Sequence, residues 1–223
     1  MFRILPSLFA KTLVFQHPGA DSAPRQRQTL PGANWLNSTP ENVREIFQND
    51  PVRRRLFLRF LRSGCFGVFL VRDQEWVAYG WASRPGKGRP PHLPRSVAGW
   101  GSYWIFHCHT RSTFRGRGVY TCLLMRLAAL ALEKGGGPVY IDALPGNTPS
   151  LRAIVSAGFV PYGVTRTFRM SLPHVGSFPV GGYWAPDEPH PELGDSHVPA
   201  APLRQEIGQG SSPSAAGGNV LPH

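Results

Sequence analysis

Lysine, cysteine and acidic residues are all scarce in this 223-residue chain. Only three of its 24 basic residues are Lys (Lys11, Lys87 and Lys134), and the rest are Arg. The three cysteines, Cys65, Cys108 and Cys122, are odd in number and have no C-x-x-C spacing. That excludes a disulfide scaffold and a zinc ribbon, and points to reduced, buried thiols in a cytoplasmic protein with no metal. No apolar run approaches the roughly 20 residues needed to cross a bilayer, so no membrane-spanning helix is expected. The P-loop pattern is absent because no Gly-Lys-Ser/Thr occurs, and Thr121 stands where a dinucleotide fingerprint would need its last Gly.

Positive charge is what the chain has in excess. Its formal net charge is +11, distributed as +3 over residues 1–40, +4 over 41–72, +8 over 73–174 and −4 over 175–223. The charge therefore belongs to the candidate domain and not to a tail, which suits an anionic ligand. No basic run exceeds the three residues Arg53, Arg54 and Arg55, and no aromatic-and-basic recognition motif occurs, so a nucleic-acid partner ranks last among the functional readings.

The pattern along the chain is that of a mixed α+β protein. Residues 1–40 read as an N-terminal segment with a first strand at 12–16 followed by a loop; an organellar leader is the alternative reading of its acid-poor start. Ser38 or Thr39 caps a helix that has Pro40 in its first turn, and Asp50-Pro51 begins a second helix with Val52, Leu56, Phe57, Phe60 and Leu61 at helical spacing. The arginines between them read as a solvated face. Residues 65–72 and 76–82 form a hairpin signature, 83–99 a Pro- and Gly-punctuated loop, and 102–110 a further strand. The longest helical pattern spans 118–134 and stops at three glycines. A short buried strand at 138–143 and a helix capped by Asn147 or Thr148 follow, then an extended segment at 159–172. The last 49 residues hold eight Pro and eight Gly, too few core formers to offset the entropy of ordering, and read as disordered. The domain is accordingly expected at 41–174, with a Pro/Gly-rich tail at 175–223.

The stretch Ser112-Thr-Phe-Arg-Gly-Arg-Gly-Val-Tyr carries the chemistry. A strand ends, a loop containing Arg115, Gly116, Arg117 and Gly118 follows, and a long helix begins. Glycines let backbone approach a ligand closely, the unpaired N–H groups at a helix start form an anion site, and two arginines add charge-assisted contacts. Such a device suits a phosphate or pyrophosphate.

The order of strand, Arg-rich glycine loop, long helix, strand, Asn-capped helix and Gly-Phe strand resembles the GCN5-related N-acetyltransferase (GNAT) superfamily over roughly residues 43–172. In that family the pattern Q/R-x-x-G-x-G/A binds the pyrophosphate of acetyl-coenzyme A. Arg115 to Gly118 match its first four places, and Tyr120 occupies the last. Asn147 through Phe159 matches the family's second element, which lies beside the pantetheine arm. The resemblance implies a central mixed, mostly antiparallel sheet flanked by helices. It also implies acetyl-CoA as acyl donor and an amine on a small molecule or protein as acceptor. Cosubstrate contacts are implied for Cys108, His109 and Thr110 on the strand, for Arg115, Gly116, Arg117, Gly118, Val119 and Tyr120, and for Asn147 and Ser150.

Proton handling departs from the family. The strand at 102–110 has no carboxylate, and His107 and His109 stand there as candidate bases. Alternation places both on one face, opposite Phe106, Cys108 and Thr110, unless a bulge intervenes. Where many members carry an acid Tyr, this chain has Ile154, leaving Tyr162 or Tyr120 as candidate acids. The alternative reading is a non-catalytic coenzyme A-binding module.

Overall fold

The computed structural model describes residues 5–19, 30–87, 93, 101–135, 137–172 and 176–185. Its strands are β1 (Leu5–His17), β2 (Ala33–Asn37), β3 (Phe66–Arg72), β4 (Glu75–Ser83), β5 (Tyr103–Thr110), β6 (Val139–Ala143), β7 (Val160–Leu172) and β8 (Gly176–Ala185). The helices are α1 (Pro40–Ile46), α2 (Pro51–Arg62), α3 (Val119–Glu133) and α4 (Thr148–Ser156). All eight strands form one sheet in the order β2-β3-β4-β5-β6-β1-β7-β8, and every neighbouring pair is antiparallel except β5–β6.

Helix starts follow local chemistry. Thr39 caps α1, its hydroxyl accepting from the Asn42 N–H at 3.2 Å, while the Ser38 hydroxyl accepts from Gly67 N–H at 2.6 Å and ties the helix to β3. Asp50 caps α2 by accepting from Arg53 N–H at 2.9 Å, and Asn147 caps α4 by accepting from Ser150 N–H at 3.4 Å.

One face of the sheet packs on α3 and α4 through Leu123, Leu124, Leu127, Ile105, Ile141 and Leu13, all at or near zero exposure. The other packs on α1 and α2 through rings: Phe47, Phe57, Phe69, Tyr79, Trp81 and Phe106. Beside this second cluster a row of rings, Trp104, Tyr140, Tyr162 and Trp184, continues across β5, β6, β7 and β8, with centroids 5.1–5.5 Å apart.

Three parts of the sheet differ from the sequence expectation. The first strand runs well beyond 12–16 and lies inside the sheet between β6 and β7, where Thr12 hydrogen-bonds Thr165 through their hydroxyls. Residues 33–37, read as loop, form the edge strand β2 against β3. Residues 176–185, read as disordered from their composition, pair with β7 as β8. An edge strand needs little apolar area of its own, because the neighbouring strand supplies its hydrogen bonds and Trp184 stacks on Tyr162. Residues 186–223, and most of the loop at 83–99, lie outside the described residues. No described helix is long and apolar enough to cross a membrane.

Candidate active site

Two irregularities open the centre of the sheet. The parallel pair β5–β6 is in register for only three residues, from Tyr103–Val139 to Ile105–Ile141, while β5 runs on to Thr110. Beyond Ile105 the two strands part. On its other side β5 bulges: Tyr79 pairs with His109 and Trp81 with Phe106, so Gly80 faces both His107 and Cys108. His107 takes the extra position with φ of 50°, in the left-handed region that non-Gly residues seldom occupy. Gly80 fits this crowding, since a Cβ there would lie 2.8 Å from the Cys108 sulfur and 2.7 Å from Leu127.

The bulge settles the direction of the strand's side chains. Phe106, His107 and His109 all meet rings of the α1–α2 side, and Cys108 turns to α3. The expectation that Phe106 would oppose the histidines is corrected by the extra residue. Tyr79 lies between the two imidazoles, stacked on His107 at 5.7 Å and on His109 at 5.6 Å. Phe57 and Phe60 flank His107, and Trp76 flanks His109. His107 keeps an exposed edge and His109 is half-buried. Burial holds both below the ordinary imidazole value of 6.5, and the positive charge of Arg53 adds to the effect on each. Both are therefore neutral near pH 7 and free to accept a proton.

The opposite side of β5 belongs to α3. Burial pushes the Cys108 thiol up to about 12, which favours its protonated form. Tyr120, in the first turn of α3, is close enough to feel Cys108 and Ser150, and is held protonated by burial. Asn147 and Ser150 are thus brought together with Tyr120 at the start of α4. Tyr162 is placed elsewhere. Its ring touches Tyr140 and Trp184, and it hydrogen-bonds Tyr140. Ile154 is fully buried in the aliphatic cluster.

The loop ahead of α3 has the geometry of an anion site. Gly116 and Gly118 adopt φ of 72° and 74°, and nothing stands within 4 Å of where a side chain at either would begin. Gly118 caps α3, and the first helical hydrogen bond runs from Cys122 N–H to its carbonyl at 3.1 Å. The N–H groups of Val119, Tyr120 and Thr121 therefore have no acceptor within the helix and point out of its positive end. Arg115 donates to the Thr110 carbonyl at 3.3 Å, which ties the loop to the end of β5, and Arg117 lies over Phe114. The Thr110 hydroxyl is buried with no hydrogen-bond partner among the described residues. An open glycine loop, an orphaned hydroxyl and a helix N-terminus fit a phosphate-bearing ligand.

Residues 32–159 match the profile described as the acetyltransferase (GNAT) family. The chain belongs to that family. Solved structures support the same fold at low sequence identity. A protein of Novosphingobium aromaticivorans assigned to the GNAT family shares 16% identity, with a TM-score of 0.50 over 77% of this chain and 67% of that one. A Drosophila protein has 10% identity and a TM-score of 0.52, over 72% of this chain and 50% of that one. A GNAT-family acetyltransferase from Colwellia psychrerythraea has 13% identity and a TM-score of 0.50, over 78% and 57%. The chain thus spans about half to two thirds of the length of these structures. No curated protein matches it significantly.

The sequence reading pointed to the glycine loop, the Asn cap and the histidine pair; it did not connect Tyr79, Trp76 and Arg53 with the histidines they lie beside. No short motif marks these three, because they meet the histidines only through the register of β4 with β5 and the docking of α2. The sole local signal was the aromatic density of residues 76–81.

Proposed function

We propose that the protein is an N-acetyltransferase that moves an acetyl group from acetyl-CoA to a primary amine. The observation that supports this most is the parting of β5 from β6, flanked on one side by the open α3 N-terminus and on the other by two neutral imidazoles. The pyrophosphate would be held by the N–H groups of residues 119–121 with Arg115 and Arg117, and the pantetheine arm would pass Thr110, Asn147 and Ser150. The acyl group then lies where β5 has left β6, and backbone N–H groups of β5 are available to polarise its carbonyl.

The amine would approach from the α1–α2 side. His107 or His109 takes a proton from the ammonium, and the freed nitrogen attacks the thioester carbon. The new C–N bond forms and the C–S bond breaks; the nitrogen gives up its second proton, which ends on the departing sulfur so that coenzyme A leaves as the thiol, and the proton held by the imidazole passes to solvent. Tyr120, protonated and facing Cys108, offers a hydrogen bond to the leaving sulfur and takes over this task from Tyr162, which is engaged in the row of rings.

Thermal unfolding with acetyl-CoA tests the donor site. A ligand that binds only the folded state at 100 times its Kd adds about 2.7 kcal/mol. The parent should be stabilised by about that much, and R115A and G118E should not. No shift at millimolar acetyl-CoA would sink the reading. The buried Ile154, at the place of the family's acid Tyr, favours a second reading as a coenzyme A-binding module. Release of free thiol in the presence of amines separates the two, since only the transferase produces it.

A further inference from the structure

We propose that the amine acceptor carries a carboxylate and that Arg53 selects for it; this rests on the transferase reading above. Arg53 projects from the first turn of α2. Its guanidinium pairs with Asp50, lies 5.3 Å from the centroid of Trp76 and interacts with the Tyr79 hydroxyl. Tyr79 is the ring held between His107 and His109. A fixed cation therefore stands at the edge of the stack that faces the acceptor.

The fixed charges that bear on the two imidazoles are positive: Arg53 on both, and Arg115 on His109. An ammonium arriving alone would meet like charge in a partly desolvated place. An acceptor with a carboxylate beside its amine brings a counter-charge of its own, in addition to those of Asp50 and Glu75. Arg53 has donors to spare, because a guanidinium presents five N–H groups and Asp50 engages one nitrogen. Its side chain is 38% exposed and so is open to a ligand from solvent. A second guanidinium, Arg111, lies 4.5 Å from the same Trp76 centroid and pairs with Glu75 at the rim. The half-buried Trp76 supplies an apolar wall for the carbon skeleton between the two charged ends.

Initial rates with acetyl-CoA and two matched sets test this: phenylalanine, phenylalaninamide and phenethylamine; glycine, glycinamide and methylamine. The carboxylate member of a set should be preferred about tenfold or more in kcat/KM, the scale of one charge-assisted bond. R53Q should collapse that preference by raising KM for the carboxylate member alone, and R53K should restore part of it. D50N keeps a residue able to cap α2 while freeing the guanidinium, so it should increase the preference. Equal use of the amides or simple amines, or R53Q slowing all members alike, would overturn the proposal. Thermal shift by N-acetylphenylalanine against its amide, with coenzyme A present, reads the same preference without turnover. A shift from the carboxylate alone, lost in R53Q, supports the proposal even in a protein that does not transfer acetyl; equal shifts, or none from either, overturn it. Failure of acetyl-CoA to bind counts against the transferase reading alone.

Discussion

The two faces of the sheet are made of different material. Against α3 and α4 lie mostly aliphatic side chains, Leu123, Leu124, Leu127, Ile105, Ile141 and Val164 among them, with the rings of Phe15, Phe66, Tyr103 and Phe159 interspersed. Against α1 and α2 lie rings, Phe47, Phe57, Phe69, Tyr79, Trp81 and Phe106, joined at the surface by His107, His109, Trp76 and Arg53. Aliphatic packing is dense and has no polar atoms to place, so it suits a scaffold that only has to hold a helix N-terminus still. Rings bury as much area and still carry an N–H, an O–H or a face for a cation, so a cluster of them can be core and site together. On the proposed reading, the glycine loop and Tyr120 lie on the mostly aliphatic side, and the histidines and Arg53 lie on the aromatic side.

If this division holds, damage to the two faces should read differently. Phe57→Ala removes a ring in contact with Phe47, Phe69, Tyr79, Trp81 and His107. It should cost about 3–5 kcal/mol in urea unfolding and also lower kcat of the folded fraction. Leu127→Ala, on the inert face, should cost about 2–5 kcal/mol and leave kcat of the folded fraction unchanged. Equal losses of activity would erase the distinction.

Next in size is the base. Replacing the imidazole that takes the proton, by H107Q or H109Q, should lower kcat about 100-fold or more, while the other substitution acts mainly on KM. Burial holds both imidazoles below 6.5, so the acidic limb of kcat/KM should lie below pH 6.5, and the variant lacking the base should lose that limb. A limb unchanged in both variants would remove the histidines from the reaction.

The smallest effects belong to the scaffold. Asn147→Ala removes the α4 cap and should cost about 1 kcal/mol, read as a fall in melting temperature. His17 is buried on β1 against Phe159, and burial lowers its affinity for a proton. The unfolded chain binds that proton more readily. Stability should therefore fall as pH drops below 6.5, and H17F should flatten this part of the pH–stability curve.

How much of this was legible depends on how local each feature is. The start of α3, its glycine loop and the Asn147 cap are written in consecutive residues, because helix periodicity and capping are settled within a few positions. The histidines were visible as residues, but the side to which Phe106 points was not, since one extra residue in β5 changes the alternation. Strand β8 was missed because its residues bury little by themselves and borrow order from β7. Arg53 and Tyr79 were silent for the same kind of reason: they are 26 positions apart and meet only when α2 docks on β4.

By itself, then, the sequence determined the helices, their caps, the glycine loop ahead of α3 and the family they belong to, all properties of neighbouring residues or of the order of elements. Tertiary structure alone decided that β1 enters the sheet between β6 and β7, that β5 bulges at His107, and that Tyr79 is gripped by two imidazoles beside Arg53. Those outcomes depend on strand register and on which faces bury together, and these are set by the free energy of the whole core rather than by any short stretch of chain.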